Sequence, residues 1–436
     1  MAVTRTAFPA RTLPLLLVLI SGAGACNPPA AISTPTVASL SPTGAPTPLA
    51  VPSATRGPMP DVVRCQDRPA GVALIVDPQL APNLAADLQT FGDDLCADGY
   101  GVRIHSAVFG SPPELRTYLA QVLAETQGRL EGAILIGDFP HAYQFDQTHP
   151  DNPKTAPVRQ EVLSLQYYSD LDGVFAASAD YTYEGRHEYS YNQHTGDTDW
   201  EIWVGVLPYY RGDASLTIDA MHRYFRKNHA YRQGERDLPR GFLEINEQFS
   251  TTKASEEARV VALMRTGPYS WTPFSNGKNS HLYVGGVAGT IADGYADLSA
   301  GVVDFAVMDT HGTATASGAI DIAWVESHPV RAYFFWSDAC SIGDIEEPEN
   351  FATSLVYSET SSVLVAKGNT RPGSGLGTNK NGFYGHNIAT GLTSGWSLGR
   401  AVVEHVRVPL IDPWAKEREH LVSPFILIGD PTLRRE

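Results

Sequence analysis

Two reactive side chains, His311 and Cys340, each follow a short apolar run in the last third of the chain. Residues 302–309 form the first run and residues 331–336 the second. Short β-rich runs bounded by Gly, Asp and Ser predict buried strands of a parallel sheet. In open α/β sheets, ligands bind beyond the carboxyl ends of such strands. The sequence therefore predicts that an imidazole and a thiol meet at one sheet edge, as a thiol nucleophile and its base require.

The residues around this pair fit the same chemistry. A cysteine needs a lowered pKa or a neighbouring base to be nucleophilic at neutral pH, and His311 is the candidate base. Gly312 lets the backbone approach a scissile carbonyl closely. Its N–H, together with that of Cys340, would form an oxyanion hole. The plainer interpretation is a buried cysteine, a loop histidine and a glycine turn, each of which is common alone.

His-Gly after one strand and Ala-Cys after a later one is the motif pair of the caspase-like cysteine peptidases, which this chain resembles. Four further segments, in the same order, are similar to the gingipain branch of that group: Ile134–Asp138, Gln166–Gly173, Val204–Pro208 and Leu427–Leu433. The resemblance extends from about Gly71 to the end. It implies an α/β fold, a caspase/gingipain-like parallel-sheet sandwich with flanking helices in two α/β lobes. It also implies a polypeptide substrate, a thioester acyl-enzyme and no required cofactor.

The resemblance further implies a third catalytic group, an acid that orients the imidazole. In the family this acid comes from the loop after the strand that ends in Ile-Gly-Asp. Asp138 matches that location in this chain. Asp138 could instead cap a helix or brace its loop.

Substrate specificity is where the chain departs from the family. Arginine-cleaving gingipains have an acidic residue in the S1 pocket, just before the segment that begins here with Gln166. Leu165 stands in that place. Burying a cation against leucine is strongly unfavourable, so we expect no strong preference for arginine. Three nearby acids could restore that preference by reaching the pocket: Asp146, Glu161 and Asp170.

Acidic residues elsewhere suggest weaker sites. Asp170 and Asp172 precede a glycine, and gingipains bind calcium, so the resemblance allows a structural calcium ion here. Calcium requires six or more oxygen ligands, and a simple Asp-Gly turn accounts for the same residues. After Cys340, an acidic cluster is either solvated surface or a feature that favours cationic substrates: Glu346, Glu347 and Glu349.

Composition limits the function classes. A chain of 436 residues that is 43% hydrophobic can bury a large core. Strands alternate with helices, and we expect an N-terminal α/β lobe over 61–235 and a catalytic α/β lobe over 236–436. A net charge of −16 argues against nucleic acid or an anionic membrane surface as the partner. The oligomeric state is left open.

The N-terminus predicts export. Residues 1–26 resemble a signal peptide, because Arg5 and Arg11 precede an apolar run that small residues follow up to Cys26. This arrangement resembles a bacterial lipoprotein signal, in which Cys26 would be lipidated and would hold the protein at the cell envelope. Ordinary signal-peptidase cleavage nearby is the alternative. Residues 27–60 are rich in Pro, Ser, Thr and Ala, and predict an extended tether.

Cysteine usage fits the same compartment. With Cys26 in the signal and Cys340 in the motif, Cys65 and Cys96 remain. In an oxidising compartment these two predict a disulfide, and two unpaired cysteines are the alternative. The sequence thus favours an exported cysteine endopeptidase. An inactive, peptidase-derived binding or scaffold lipoprotein is the second hypothesis, and the intact His311, Gly312 and Cys340 argue against it.

Overall fold

The computed structural model describes most of the chain from residue 59 onward. The described residues are 59–148, 158–177, 187–197, 199–247, 279–284, 290–370, 384–407 and 425–435. The predicted signal peptide, Cys26 and residues 27–58 of the predicted tether lie outside them. Within this part, no helix combines the length and the apolar character that crossing a bilayer requires.

The central sheet is built from strands of four to seven residues that alternate with helices, with shorter strands in the insertions. The strands, in chain order, are β1 (Met59–Arg64), β2 (Ala70–Val76), β3 (Tyr100–Ser106), β4 (Leu130–Ile136), β5 (Tyr143–Thr148), β6 (Val158–Leu163), β7 (Val174–Ala176), β8 (Ser190–Tyr191), β9 (Gln193–Thr195), β10 (Trp203–Leu207), β11 (Phe242–Asn246), β12 (Ser280–Val284), β13 (Phe305–Asp309), β14 (Gly312–Thr313), β15 (Ala316–Ser317), β16 (Ile320–Asp321), β17 (Phe334–Ser337), β18 (Val365–Asn369) and β19 (Phe425–Gly429). The helices are α1 (Ala81–Ala97), α2 (Pro112–Glu125), α3 (Gln166–Ser169), α4 (Ala214–Arg232), α5 (Thr290–Ala300), α6 (Ile322–Ser327), α7 (Phe351–Tyr357), α8 (Tyr384–Thr393) and α9 (Leu398–Val406).

Burial explains why these segments form strands. The strands β10, β11, β13, β17 and β19 are buried along their whole length. Strands covered by helices on both faces have continuous apolar runs rather than an alternating pattern. The helices begin at recognisable caps: the side chain of Asp213 accepts the Leu216 N–H at the start of α4, and that of Asn350 accepts the Thr353 N–H at the start of α7.

The eleven strands of the central sheet follow the order β1-β3-β2-β4-β10-β19-β18-β17-β13-β11-β12. Strands β3, β2, β4 and β10 are parallel to one another and to β19. Strands β18, β17, β13, β11 and β12 form a second parallel block, and β19 is antiparallel to β18. The carboxyl ends of the two blocks therefore lie at opposite edges of one sheet. This large, mainly parallel sheet with flanking helices confirms the predicted fold class.

The two halves of the sequence contribute separate blocks. The first half supplies β1 to β4 and β10, the second half supplies β11 to β13, β17 and β18, and β19 enters between β10 and β18. The predicted lobe boundary near residue 235 falls after α4 and before β11, and it stays a prediction. A disulfide joins Cys65 to Cys96, with 5.9 Å between their Cα atoms. This pair, which the sequence predicts, ties the segment after β1 to the last turn of α1.

Candidate active site

His311 and Cys340 lie at the same edge of the sheet. Strands β13 and β17 are neighbours, and Met308 pairs with Ser337 at the end of their register. Each of the two reactive residues lies three positions beyond that pair. Adjacent strands are about 4.8 Å apart, so the paired strands deliver both residues to one place, as the sequence predicts.

Gly312 contacts the turn that carries Cys340. A Cβ atom built on Gly312 would lie 2.8 Å from the Cβ of Ala339 and 2.9 Å from the carbonyl oxygen of Cys340. Real Cβ atoms do not approach backbone so closely, so only glycine fits there. This contact places the His-Gly segment directly on the nucleophile turn, which we define as residues 338–341.

The hairpin of β14 and β15 controls the direction of the Gly312 N–H. Gly312 pairs with Ser317, Thr313 pairs with Ala316, and the Gly318 N–H donates to the His311 carbonyl (2.7 Å). Hydrogen-bonded and non-bonded pairs alternate in an antiparallel ladder. The pair formed by Gly312 and Ser317 is therefore a non-bonded one, and the Gly312 N–H faces away from the hairpin. An oxyanion hole requires a donor of this kind.

The nucleophile turn has an unusual backbone and a buried sulfur. Ser341 has φ = 54°, in the left-handed region that residues other than glycine seldom adopt. Cys340 is 5% exposed, whereas His311 is exposed. The predicted chemistry needs the thiolate of Cys340, so assays of this site include a reductant.

A layer of buried polar side chains lies beneath the reactive pair. Asp309 and Asp338 precede His311 and Cys340 by two positions, and the Asn246 amide donates to Asp309 Oδ2 (2.8 Å). The fully buried Lys367 side chain forms an ion pair with Asp338. The Asp309 Oδ1 atom and the Glu244 Oε2 atom have no hydrogen-bond partner among the described residues.

Burial controls the charge of this layer. It raises the pKa of Asp309 to about 8, an effect to which the charge of Asp338 adds and which the Asn246 hydrogen bond and Lys367 oppose. Burial, with Asp309 as the next cause, also raises the pKa of Glu244 well above its ordinary value. The Asp309 carboxyl group is therefore largely protonated at neutral pH, and burial favours the neutral form of Glu244 as well.

Comparison with known proteins identifies the architecture. No protein-family model and no curated protein sequence matches the chain. Among solved structures, the Arg-specific cysteine proteinase gingipain R matches with a TM-score of 0.56 at 12% identity, covering 84% of this chain and 78% of that one. The complex of the pro- and mature domains of Porphyromonas gingivalis RgpB matches with a TM-score of 0.54 at 12% identity, covering 84% and 79%. The chain has the gingipain fold. At this identity the likeness establishes the fold, and it confirms the predicted resemblance.

Within the gingipain fold, Asp138 is not placed beside His311. Asp138 follows β4, in the block whose carboxyl ends lie at the edge opposite to that of β13. Five strand spacings, about 24 Å, also separate β4 from β13 across the sheet. Asp138 is exposed, and its N–H donates to Asp77 Oδ2 (3.4 Å). The structure therefore does not support the role that the resemblance implied for Asp138, because β4 and β13 end at opposite edges of the sheet.

The segment predicted to form S1 contacts the end of β18 that lies at the same edge of the sheet as His311 and Cys340. Thr370, directly after β18, donates its hydroxyl to the Leu163 carbonyl (2.7 Å). Leu165 and Gln166 lie two and three residues after Leu163, and both are buried, at 4% exposure each. Glu161, an alternative acid, contacts His187 Nδ1 (2.8 Å). The side chain of Asp146 lies outside the described residues, and Asp170 forms part of another cluster described below.

Acidic residues also line the segment after Cys340. Glu346 accepts a hydrogen bond from the Tyr143 hydroxyl, which links this segment to β5. Burial, with Glu346 as the next cause, raises the pKa of Asp344 to about 6. Asp344 was not predicted as a site residue, although its position four residues after Cys340 was a signal. Glu349 lies 3.5 Å from Arg211, in a partly exposed ion pair.

A third carboxylate, that of Glu201, lies beside the two residues predicted to bind calcium, but the three do not make a complete calcium site. Oxygen atoms of Asp170, Asp172 and Glu201 lie within 4.8 Å of one another. Asp170 already accepts the Gly173 N–H (2.7 Å) and contacts His194 Nε2 (2.8 Å), and Glu201 accepts the Leu171 N–H (2.5 Å). A calcium ion needs six or more oxygen ligands, so these residues alone do not fit it. They form an Asp-Gly turn that Glu201 stabilises by accepting backbone N–H groups. Glu201 was not predicted as a site residue.

Proposed function

We propose that this chain is a cysteine endopeptidase that uses Cys340 as nucleophile and His311 as acid and base. One observation carries the proposal: the paired strands β13 and β17 place the His-Gly segment against the Cys340 turn, in contact at Gly312. The gingipain fold supports it, because the structural neighbour with that fold is a cysteine proteinase.

The reaction follows from these groups. The thiolate of Cys340 attacks the substrate carbonyl carbon, and the N–H groups of Gly312 and Cys340 donate to the oxyanion that forms. The C–N bond then breaks as the His311 imidazolium gives its proton to the leaving amine, which leaves a thioester. His311 next takes a proton from water, the resulting hydroxide attacks the thioester, and the carboxylic acid product leaves as the thiol reforms.

A peptide-library assay tests the function. The chain, treated with a reductant, should cleave a subset of an unbiased library, and the Cys340→Ala variant should cleave none. An absence of cleavage by the reduced wild type, with binding of peptides preserved, would instead favour the second hypothesis, a peptidase-derived binding protein.

Specificity provides a separate prediction, because Leu165 occupies the position of the family's S1 acid. We expect the wild type to show no strong preference for arginine at P1. Leu165→Asp should raise the turnover of arginine substrates relative to neutral ones by at least about tenfold, since a desolvated charge partner is typically worth a few kcal/mol. The measurement is the ratio of kcat/KM for matched Arg and Leu substrates.

Leu165→Asn is the matched control for this prediction. It has almost the same shape as Leu165→Asp but no charge, so it should leave the Arg/Leu ratio near that of the wild type. If the wild type cleaves only after arginine and neither variant alters that preference, Leu165 is not at S1. Asp344 and Glu346 would then be the acids to examine.

We also propose export and a lipid anchor at Cys26, which rest on the sequence of residues 1–60. When the full chain is expressed in a bacterium with lipoprotein processing, it should fractionate with membranes. Cys26→Ala should release the protein or block its processing, because the thioether to the lipid can no longer form. If mass spectrometry finds a mature N-terminus other than a modified Cys26, the lipid anchor is refuted.

Structural calcium likewise stays a prediction.

A further inference from the structure

The peptide units that precede Cys340 are held by a side chain from the neighbouring strand β18. The Asn369 Nδ2 atom donates to the carbonyl oxygen of Asp338 (2.9 Å) and to that of Ala339 (3.2 Å). The Asn369 carbonyl in turn accepts the Gly343 N–H (2.8 Å). One residue therefore fixes the backbone both before and after the nucleophile.

Lys367 determines which way the Asn369 amide faces. Its Nζ atom bonds to Asn369 Oδ1 (3.0 Å) and to the Ser337 carbonyl (3.0 Å), and it forms an ion pair with Asp338. An ammonium group is only a donor, so the atom of Asn369 that faces it must be the oxygen. The amide NH2 group is then left facing the two carbonyls. The lysine side chain is fully buried, and such a cation is stable only with partners of this kind.

The direction of one carbonyl fixes the direction of the next N–H. The peptide bonds here are trans, and in a planar trans peptide the C=O and N–H bonds point in opposite directions. Because the Ala339 carbonyl points at Asn369, the Cys340 N–H points away from it. Gly312 packs against this same segment, so closely that a Cβ atom added to it would lie 2.8 Å from the Ala339 Cβ.

We propose that Asn369, oriented by Lys367, is a positioning residue that directs the Cys340 N–H toward the oxyanion of the bound substrate. The inference rests on the proposed peptidase function and deepens it. Asn369 does not touch the substrate, because it acts through the Ala339–Cys340 peptide unit. It should therefore affect the steps that build up negative charge on the carbonyl oxygen, and not the formation of the thiolate.

Two reactions of Cys340 separate these effects. Peptide hydrolysis passes through an oxyanion, whereas alkylation by iodoacetamide requires only the thiolate. In the reduced full chain, Asn369→Ala should lower kcat/KM for a peptide by about a hundredfold, the typical cost of losing one oxyanion donor. The alkylation rate of Cys340 across pH should stay within about threefold of wild type, since thiolate formation is governed by other groups. Asn369→Leu, which is close to asparagine in shape and loses both donors without adding a charge, should behave like Asn369→Ala.

Asn279 offers a matched control at the other edge of the sheet. Its amide donates to the carbonyls of Arg240 (2.9 Å) and Val302 (3.2 Å), the same pattern of distances as for Asn369. Asn279→Ala should leave both reactions unchanged. The inference is overturned if hydrolysis and alkylation fall together in the Asn369 variants, if neither falls, or if Asn279→Ala lowers hydrolysis equally. A wild type that alkylates at Cys340 but cleaves nothing would instead refute the proposed function, and the inference with it.

Discussion

Replacing Cys340 with alanine is expected to abolish peptide cleavage and to leave the fold intact. Loss of a nucleophile removes the covalent path altogether, so the rate should fall by about three orders of magnitude or more. His311→Ala should have an effect of similar size. Because the two groups act as a unit, the double variant should be scarcely worse than either single one. The measurement is kcat/KM with a peptide substrate in the presence of a reductant.

The structural cost of these changes should be small. Cys340 lies in a turn, beyond the end of β17, and His311 is exposed on the loop after β13. Thermal unfolding and far-UV circular dichroism of the reduced proteins should therefore match the wild type. Full cleavage by Cys340→Ala would refute the mechanism, and full cleavage by His311→Ala alone would assign the base to another residue.

The raised pKa of Asp309 is expected to make the protein less stable as the pH rises from about 5 to 8. Burial raises the pKa of this carboxyl group from 3.8 to about 8 in the folded state. Between those two values, the folded protein holds a proton that the unfolded chain has released. The free energy of unfolding therefore falls with rising pH, by at most about 1.4 kcal/mol per pH unit. Across this window the loss amounts to roughly 3 to 4 kcal/mol.

Asp309→Asn should flatten this dependence. The amide is neutral at every pH and can still accept the hydrogen bond from Asn246. The measurement is urea unfolding of the wild type and the variant at pH 5, 6.5 and 8. Glu244 contributes in the same direction, because burial raises its pKa as well. The double variant with Glu244→Gln should therefore be flatter still.

Asp304 provides the control at the opposite end of β13. It forms a buried ion pair with Arg435, so Asp304→Asn should lower the free energy of unfolding at pH 5 as well as at pH 8. A wild type whose stability does not change between pH 5 and 8, or an Asp309→Asn variant with the same slope as the wild type, would show that Asp309 is ionised in the folded protein.

The sequence was sufficient to predict that His311 and Cys340 follow neighbouring strands, because the signal is local. His311 and Cys340 each end an apolar run, and parallel neighbours bring such ends together. The close packing of Gly312 against the Cys340 segment was predictable for the same reason. The pairing of Cys65 with Cys96 followed from the count of cysteines and the expected compartment.

The rest depends on contacts that a single sequence does not show. Asp138 also ends an apolar run, but nothing in its neighbourhood reveals that β4 runs opposite to β13. Lys367 and Asn369 escaped notice because lysine and asparagine usually mark a surface or a turn. Here they lie at the buried end of β18, where the nucleophile turn satisfies their polar atoms.

The position of β19 has a consequence for the order in which the molecule is built. This strand joins the two blocks of the sheet, with β10 on one side and β18 on the other. Yet residues 425–429 leave the ribosome after every other described strand. Until they arrive, β10 and β18 each present an unpaired edge, and exposed edges invite pairing with other chains. Among the described strands, the centre of the sheet is thus the last part to be synthesised. Until β19 pairs with β10 and β18, the nascent chain must avoid pairing of these two strand edges with other chains.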